Sequence, residues 1–460
     1  MKNKIIKILI NFWILLIAIT FTGCNKQDIF LNKKPNAALS VPETLSNFEL
    51  LLNNEALFNA YDSPALGNLS ADDFYVTNNS WISSETVAQN VYIFAKDIYQ
   101  GSTVNNDWNT PYQQIYYCNV VLDGLNKTNV IPDQISRFNT IKGEALFLRA
   151  YAFYNLVQTF AMPYDIATAS RDPGIPLPTS SDINKRYGRG TVQGTYDQII
   201  NDVNTAAELL PANLSSVTKA CKISCNAFLA RVYLGIGKYD QAYTYADKCL
   251  TQYNSLVDYN TIVPGRNALS SKILAEDIFH TSLNGYSMTS LAQMDSTLYK
   301  SYDANDLRKS YFFRTATSGT GLFFRGTYDI HNNKFSGLAT DEIYLIRAEC
   351  NARSGKLTTA LNDLNTLLKN RYKTGLFSPL TTNNQDVLLQ RVLLEREKEL
   401  FMRGLRWTDL RRLNKEDRFK KTVVHVINGV TYTLLPNDPK YAMPIPDQEI
   451  QLTGIPQNIR

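Results

Sequence analysis

Ala230-Arg-Val-Tyr-Leu-Gly-Ile-Gly237-Lys-Tyr-Asp-Gln-Ala242 returns 118 residues later as Ala348-Glu-Cys-Asn-Ala-Arg-Ser-Gly355-Lys-Leu-Thr-Thr-Ala360. Each copy carries a small Ala on the segment before a Gly-Lys pair and another Ala on the segment after it. Ala permits close approach of two helices, and Gly accepts the backbone geometry of the turn between them. The pattern predicts two helical hairpins, near 219–253 and 341–372, and it describes a scaffold with no catalytic function of its own.

Working outward, apolar residues recur with helical period over 44–54, 112–125, 136–160, 195–209, 219–235, 239–253, 341–354, 356–372 and 385–403. Extended segments are few and short. The clearest pair is 422–426 with 431–435, around Asn428-Gly429, a strong hairpin signal. The fold class is therefore mostly α, with tetratricopeptide-like helix pairs, long loop insertions and minor short β-hairpins. More than one repeat length separates the two hairpins, so helical pairs embedded in a larger domain are expected in place of a regular solenoid. The segments near 60–107 and 254–335 read as variable ligand or partner loops, and 254–335 is irregular and rich in Ser, Thr, Gly, Asn and aromatics. Long insertions on a rigid scaffold usually carry binding.

The 460 residues, 44% hydrophobic and 19% charged, describe a globular chain and exclude a disordered one. The formal charge of +5 includes Lys2, Lys4 and Lys7, which leaves +2 (5 − 3) for the rest, too balanced to imply a nucleic-acid partner. Five cysteines follow Cys24, and no disulfide framework is evident. Cys221 and Cys225 share a helical face, but the histidines His280, His331 and His425 are scattered. Small apolar cysteines inside a helical core are the better reading than a zinc site.

At the N-terminus, a Lys-flanked apolar run ends in Phe21-Thr22-Gly23-Cys24. A basic start, an apolar stretch and small residues at the processing point define a secretory signal. Residues 1–23 are expected to be a lipoprotein signal peptide, with Cys24 lipidated and 24–39 forming a flexible tether. The run is short for a spanning helix, which needs ~20 apolar residues.

Six blocks resemble a known family. They are Asp28-Ile-Phe-Leu31 ahead of Pro35; Trp108-Asn-Thr-Pro-Tyr112 with Ile115 and Asn119; and Lys142-Gly-Glu144-Ala-Leu-Phe-Leu-Arg149-Ala-Tyr151-Ala-Phe-Tyr154-Asn-Leu. After these come Asp341-Glu342-Ile-Tyr344-Leu-Ile-Arg347-Ala-Glu349; Glu395 to Arg412 with Glu399, Arg403, Gly404, Arg406, Asp409 and Leu410; and Met443-Pro444-Ile445-Pro446-Asp447-Gln448-Glu449-Ile450, closing on Gln457-Asn458. In this order they resemble the SusD/RagB nutrient-uptake outer-membrane lipoproteins of Bacteroidetes-type bacteria. The resemblance implies a single SusD-like α-helical domain over 40–460. It also implies a lipid anchor in the cell outer membrane, facing the extracellular side, and a SusC-like TonB-dependent transporter as partner. The ligand would be a nutrient, usually an oligosaccharide. The resemblance carries over no catalytic, metal or cofactor residue.

Glu395 and Glu399 stand four apart among Arg391 and Arg403. Helical ion pairs explain them better than a glycosidase pair, which needs a substrate-sized gap and one carboxyl with a raised pKa. Asp303-Ala-Asn305-Asp306 lacks the Gly and closing Glu of a calcium loop and, with Arg308, matches a recurring structural element of the family. Sugar binding calls for flat rings beside amides and charged hydrogen-bonding groups. The candidates are Trp81 with Asn79, then Tyr286, Phe323, Phe324 and Tyr328 with Asn284, Arg325 and Asn332 as polar partners. On a strand, Phe323 and Phe324 would point opposite ways. No enzyme activity is expected. The alternatives to an oligosaccharide binder are a peptide-binding member of the same uptake system or a tetratricopeptide-like envelope assembly protein.

Overall fold

Among the described residues, nine helices of nine residues or more carry the scaffold: α1 Asn106–Leu125, α2 Ile135–Phe160, α3 Val192–Leu209, α4 Lys222–Gly235, α5 Tyr239–Gln252, α6 Thr340–Arg353, α7 Leu357–Lys369, α8 Gln385–Glu399 and α9 Leu405–Leu413. The computed structural model describes residues 42–103, 105–263, 269, 274–315 and 321–460. Thr44–Arg460 forms one compact unit, to which the helices and both long loop regions belong. The signal run, Cys24 and the tether to residue 39 lie outside the described residues.

From α1 to α7 each helix packs on the next, and α8 returns to pack on α6. The two repeated hairpins are α4–α5 and α6–α7. The four alanines of the repeated pattern, Ala230, Ala242, Ala348 and Ala360, are fully buried. Gly237 (φ 71) and Gly355 (φ 77) take the left-handed conformation. In both turns the next N–H reaches back five residues, Lys238 to Tyr233 O and Lys356 to Asn351 O, each at 2.9 Å. That is the same helix-ending motif twice. Although far apart in sequence, the pairs touch through α5 and α6, and the 253–339 insertion leaves and re-enters the scaffold at neighbouring points. There the Thr340 hydroxyl donates to the Ser255 carbonyl, and the Tyr344 hydroxyl to the Asn254 carbonyl at 3.4 Å.

Two helix boundaries differ from the periodicity. α1 starts at Asn106, ahead of Pro111, so the Pro is inside the helix. The expected helix over 385–403 stops at Glu399. Met402 (φ 60) and Gly404 (φ 75) then reverse the chain, and α9 begins.

Strands β1 Phe74–Tyr75, β5 Gln293–Met294, β6 Phe313–Thr315 and β7 Leu322–Phe324 form an antiparallel sheet in the order β1-β5-β7-β6. This sheet joins the two long loop regions. Of two further short antiparallel pairs, β2 Pro173–Pro176 with β3 Arg189–Thr191 precedes α3, and β4 Asp277–Phe279 with β8 Leu338–Ala339 lies at the base of the insertion. The hairpin β9 Val423–Ile427 and β10 Val430–Leu434 closes on Asn428 (φ 51) and Gly429 (φ 75), a turn in which both central residues are left-handed.

Buried ion pairs fasten the insertion to the scaffold. Arg308, wholly buried, donates to Asp306, to Glu395 at 2.6 Å and to Glu399 at 2.8 Å on α8. Arg371, after α7, bridges Glu399 at 2.7 Å and Glu276 at 2.8 Å. Burial opposes ionisation of Glu395, but Arg308, Lys398 and Arg391 outweigh it and hold the carboxyl down at about 2. Buried pairs of this kind contribute little net stability over apolar packing, yet breaking one partner away is costly.

Candidate ligand-binding cleft

The loop regions 60–107 and 254–335 meet at an open cleft of 820 Å3, bordered by Tyr61, Glu85, Gln100, Asp107, Asn284 and Tyr286 among others. A smaller depression of 280 Å3 shares Tyr61, Asn284, Gly285 and Tyr286 with it and adds Ser290, Asn332, Asn333 and Lys334. The segment from Asn284 to Tyr286 is thus a ridge between two hollows.

Backbone pairing builds this ridge. Asp62 N and Ser63 N both donate to Ser282 O at 3.1 Å, and Asn284 N donates to Ser63 O at 2.8 Å. Tyr61 N donates to Ser282 Oγ at 2.9 Å. Fixed in this way, Tyr61 keeps φ at 53 and leaves its side chain 52% exposed. Seven non-glycine residues have positive φ among the described residues, and Tyr61, Gln100 (φ 46) and Asn332 (φ 65) border the two hollows. Such conformations cost ~1–3 kcal/mol each and gather where a surface is shaped for a ligand.

Tyr286 is half-buried and donates its hydroxyl to Asp107 Oδ2 at 2.6 Å. Burial raises the Asp107 pKa, while hydrogen bonds from Tyr286, Ala65 N and Asn284 oppose the rise. Beside it, Glu85 is exposed and accepts Ser287 N at 3.0 Å and Ser287 Oγ at 2.8 Å. The result is an open surface with two tyrosines, one of them free to stack, beside amides and carboxylates. Chemically, that set can hold an apolar ring face and bond to hydroxyls.

Of the sequence-predicted positions, Asn284 and Tyr286 line the cleft and Asn332 the smaller hollow. Trp81 sits on the short helix Asn78–Ile82, packed against the core and donating its indole N–H to Gln89 O at 3.1 Å. Asn79 is exposed on the same helix. β7 sends Phe324 inward against Phe312, Phe313 and Phe401, and Phe323 the other way, 5.2 Å from the Arg314 guanidinium. Arg325 donates to Ser310 O at 2.7 Å. Tyr328 requires a correction: expected on a ligand-facing loop, it is completely buried. Its hydroxyl lies 2.9 Å from Tyr259 Oη and donates toward Glu276 and Asp341, inside the charged interior that holds the insertion. Tyr61 and Lys334 were not singled out from the sequence. The only signal for Tyr61 is its place in the 60–107 loop.

Glu276, Asp341 and Glu399 bring carboxylate oxygens within 4.8 Å of one another. Arg371 and Arg403 already bond to them, with Arg403 reaching Asp341 at 2.7 and 3.0 Å, so arginines hold the place a cation would take. Glu395 and Glu399 are likewise buried, and each is paired with cationic side chains.

Paired helices and a loop-built cleft together define a helical-repeat scaffold that carries an open surface cleft. Residues 29–234 match a family described as "Starch-binding associating with outer membrane", and residues 340–458 match one described as "SusD family". The chain belongs to the SusD/RagB family. It is similar to "SusD-like protein P2" of Formosa agariphila, 24% identical over 359 residues, covering 63% of this chain and 68% of that one. Among solved structures it is similar to a SusD superfamily protein of Bacteroides thetaiotaomicron, with TM-score 0.75 at 20% identity over 91% of this chain and 100% of the other. A SusD-like carbohydrate binding protein of Bacteroides vulgatus gives TM-score 0.69 at 22% identity over 90% and 97%. These likenesses carry the fold. No helix among the described residues is long and apolar enough to cross a membrane.

Proposed function

We propose that this chain binds an oligosaccharide nutrient in the cleft beneath Tyr61 and Tyr286 and delivers it to a SusC-like TonB-dependent transporter. It would be held at the outer membrane through a lipidated Cys24. The observation that carries the reading is Tyr61: an exposed ring, at a backbone angle the loop pairing enforces, next to a second tyrosine and amides. The family's descriptions, and the carbohydrate-binding relative of the same fold, support it. Affinity should be modest, of order 4 to 8 kcal/mol or millimolar to micromolar, because an open platform must release its ligand.

Calorimetric titration against a panel of oligosaccharides tests the reading. At least one should bind, and Tyr61→Ala should weaken it about tenfold or more by removing a stacking face. An unchanged affinity in Tyr61→Ala would remove the site assignment. Affinity purification from mildly solubilised outer membranes should recover a TonB-dependent barrel in near-equal amount. Radiolabelled palmitate should mark the wild type and not Cys24→Ser.

A further inference from the structure

The two hollows differ in charge. Glu85 and Asp107 are the charged residues that border the larger one, whereas Lys334 is the charged residue that borders the smaller. Lys334 is half-buried, its backbone carbonyl pairing with Leu283 N at 2.8 Å, which fixes it beside the ridge. Among the described residues its ammonium has the Phe324 ring, 5.2 Å away, for company, and no carboxylate. Burial alone acts on this amine, pushing its pKa down to about 8. A partly desolvated cation without a counter-charge is costly, and an arriving anion recovers that cost through charge-assisted hydrogen bonds. Bordering the same hollow as Lys334, Ser290, Asn332 and Asn333 offer hydroxyl and amide groups, and the left-handed Asn332 shapes the wall.

We propose that the smaller hollow seats an anionic substituent, a carboxylate or a sulfate ester, against Lys334, so that the nutrient is an acidic oligosaccharide. This rests on the saccharide reading above.

Titrating the full-length protein with matched probes tests this: a neutral oligosaccharide, its uronate counterpart, its sulfated counterpart and an acidic peptide. The wild type should bind one acidic saccharide at least about tenfold tighter than the neutral one, the yield of one charge-assisted contact. Preference for the uronate or for the sulfated probe identifies the source of the anion. Lys334→Gln should erase the difference while leaving the neutral affinity in place, and Lys334→Arg should retain much of it. Equal binding of neutral and acidic saccharides overturns the inference while the saccharide reading stands. Binding of the peptide alone, or of no saccharide at all, overturns both. Parallel loss of neutral and acidic binding in Lys334→Gln, with the fold intact by circular dichroism, would make Lys334 a packing residue and also overturn the inference.

Discussion

Replacing Arg308 by Met leaves a hole in the charge lattice that holds the insertion to α8. The guanidinium is fully buried and contacts Asp306 at 2.6 Å, Glu395 at 2.6 Å and Glu399 at 2.8 Å. Each carboxylate keeps one other cation or more: Lys398 at 3.5 Å from Asp306, Lys398 and Arg391 at 2.8 Å from Glu395, and Arg371 at 2.7 Å from Glu399. The loss should therefore fall toward the lower end of the ~3–5 kcal/mol expected when one partner is removed from a buried pair. Spread over Thr44–Arg460 at ~2.1 cal/mol/K of unfolding entropy per residue, that lowers Tm by ~3–4 °C. Differential scanning fluorimetry reads this directly. Arg137→Ala is the control, because its pair with Glu49 is exposed, 42% and 36%, and should not move Tm measurably. Equal shifts in the two variants, or a shift under about 1 °C in Arg308→Met, would refute the argument that burial gives the Arg308 contacts their weight.

Trp81→Ala should lower Tm by a few degrees and leave saccharide affinity unchanged, since Trp81 packs against the core and borders neither hollow; a selective loss of binding would return Trp81 to the site. Gly337→Ala should destabilise by ~2 kcal/mol or more, since its Cβ would run into the Phe279 carbonyl oxygen of β4; urea titration checks it. His280 lies between Asp277 at 2.5 Å and Asp329 at 3.0 Å. Burial opposes its charge, but the two aspartates raise its pKa from 6.5 to about 10. The stability from that imidazolium is whole below pH 6.5 and fades as pH rises through about 10. Tm should therefore fall more steeply from pH 7 to 10 in the wild type than in His280→Gln, and parallel profiles would contradict the assignment. Glu349 is held down at about 2, with Arg412 and Arg353 outweighing burial. Together with Glu395 this predicts stability lost as pH drops from 4.5 toward 2, monitored by circular dichroism.

The helical frame was legible because its signals are local. A Gly-Lys turn between small alanines, or Asn428-Gly429 between alternating strands, needs no distant residue to take its shape. The break after Glu399 was not, because Met402 in a left-handed conformation is dictated by what packs around it. The cleft was legible only as a region. Tyr61 owes its exposure to bonds with Ser282, 221 residues away, and β1 meets β5 through two-residue strands too short to leave a period in the sequence. Tyr328 shows the converse: an aromatic beside loop polar residues reads as a surface ring. It is drawn inside because Glu276, Asp341 and Tyr259 offer its hydroxyl a partner there.

The clasp between Ser255 and Thr340, where the insertion leaves α5 and rejoins α6, makes the binding segment a cassette. Because the scaffold itself brings the two ends together, exchanging what lies between them carries little additional cost of loop closure, ~0.6 kcal/mol for each doubling of length. Sequence drift, or deliberate grafting, can therefore rewrite the recognition surface while the helix pairs and their alanine contacts stay as they are. The constraint that travels with any such exchange is the Arg308 and Glu276 ion pairing, which a transplanted segment must reproduce to dock on α8 and Arg371.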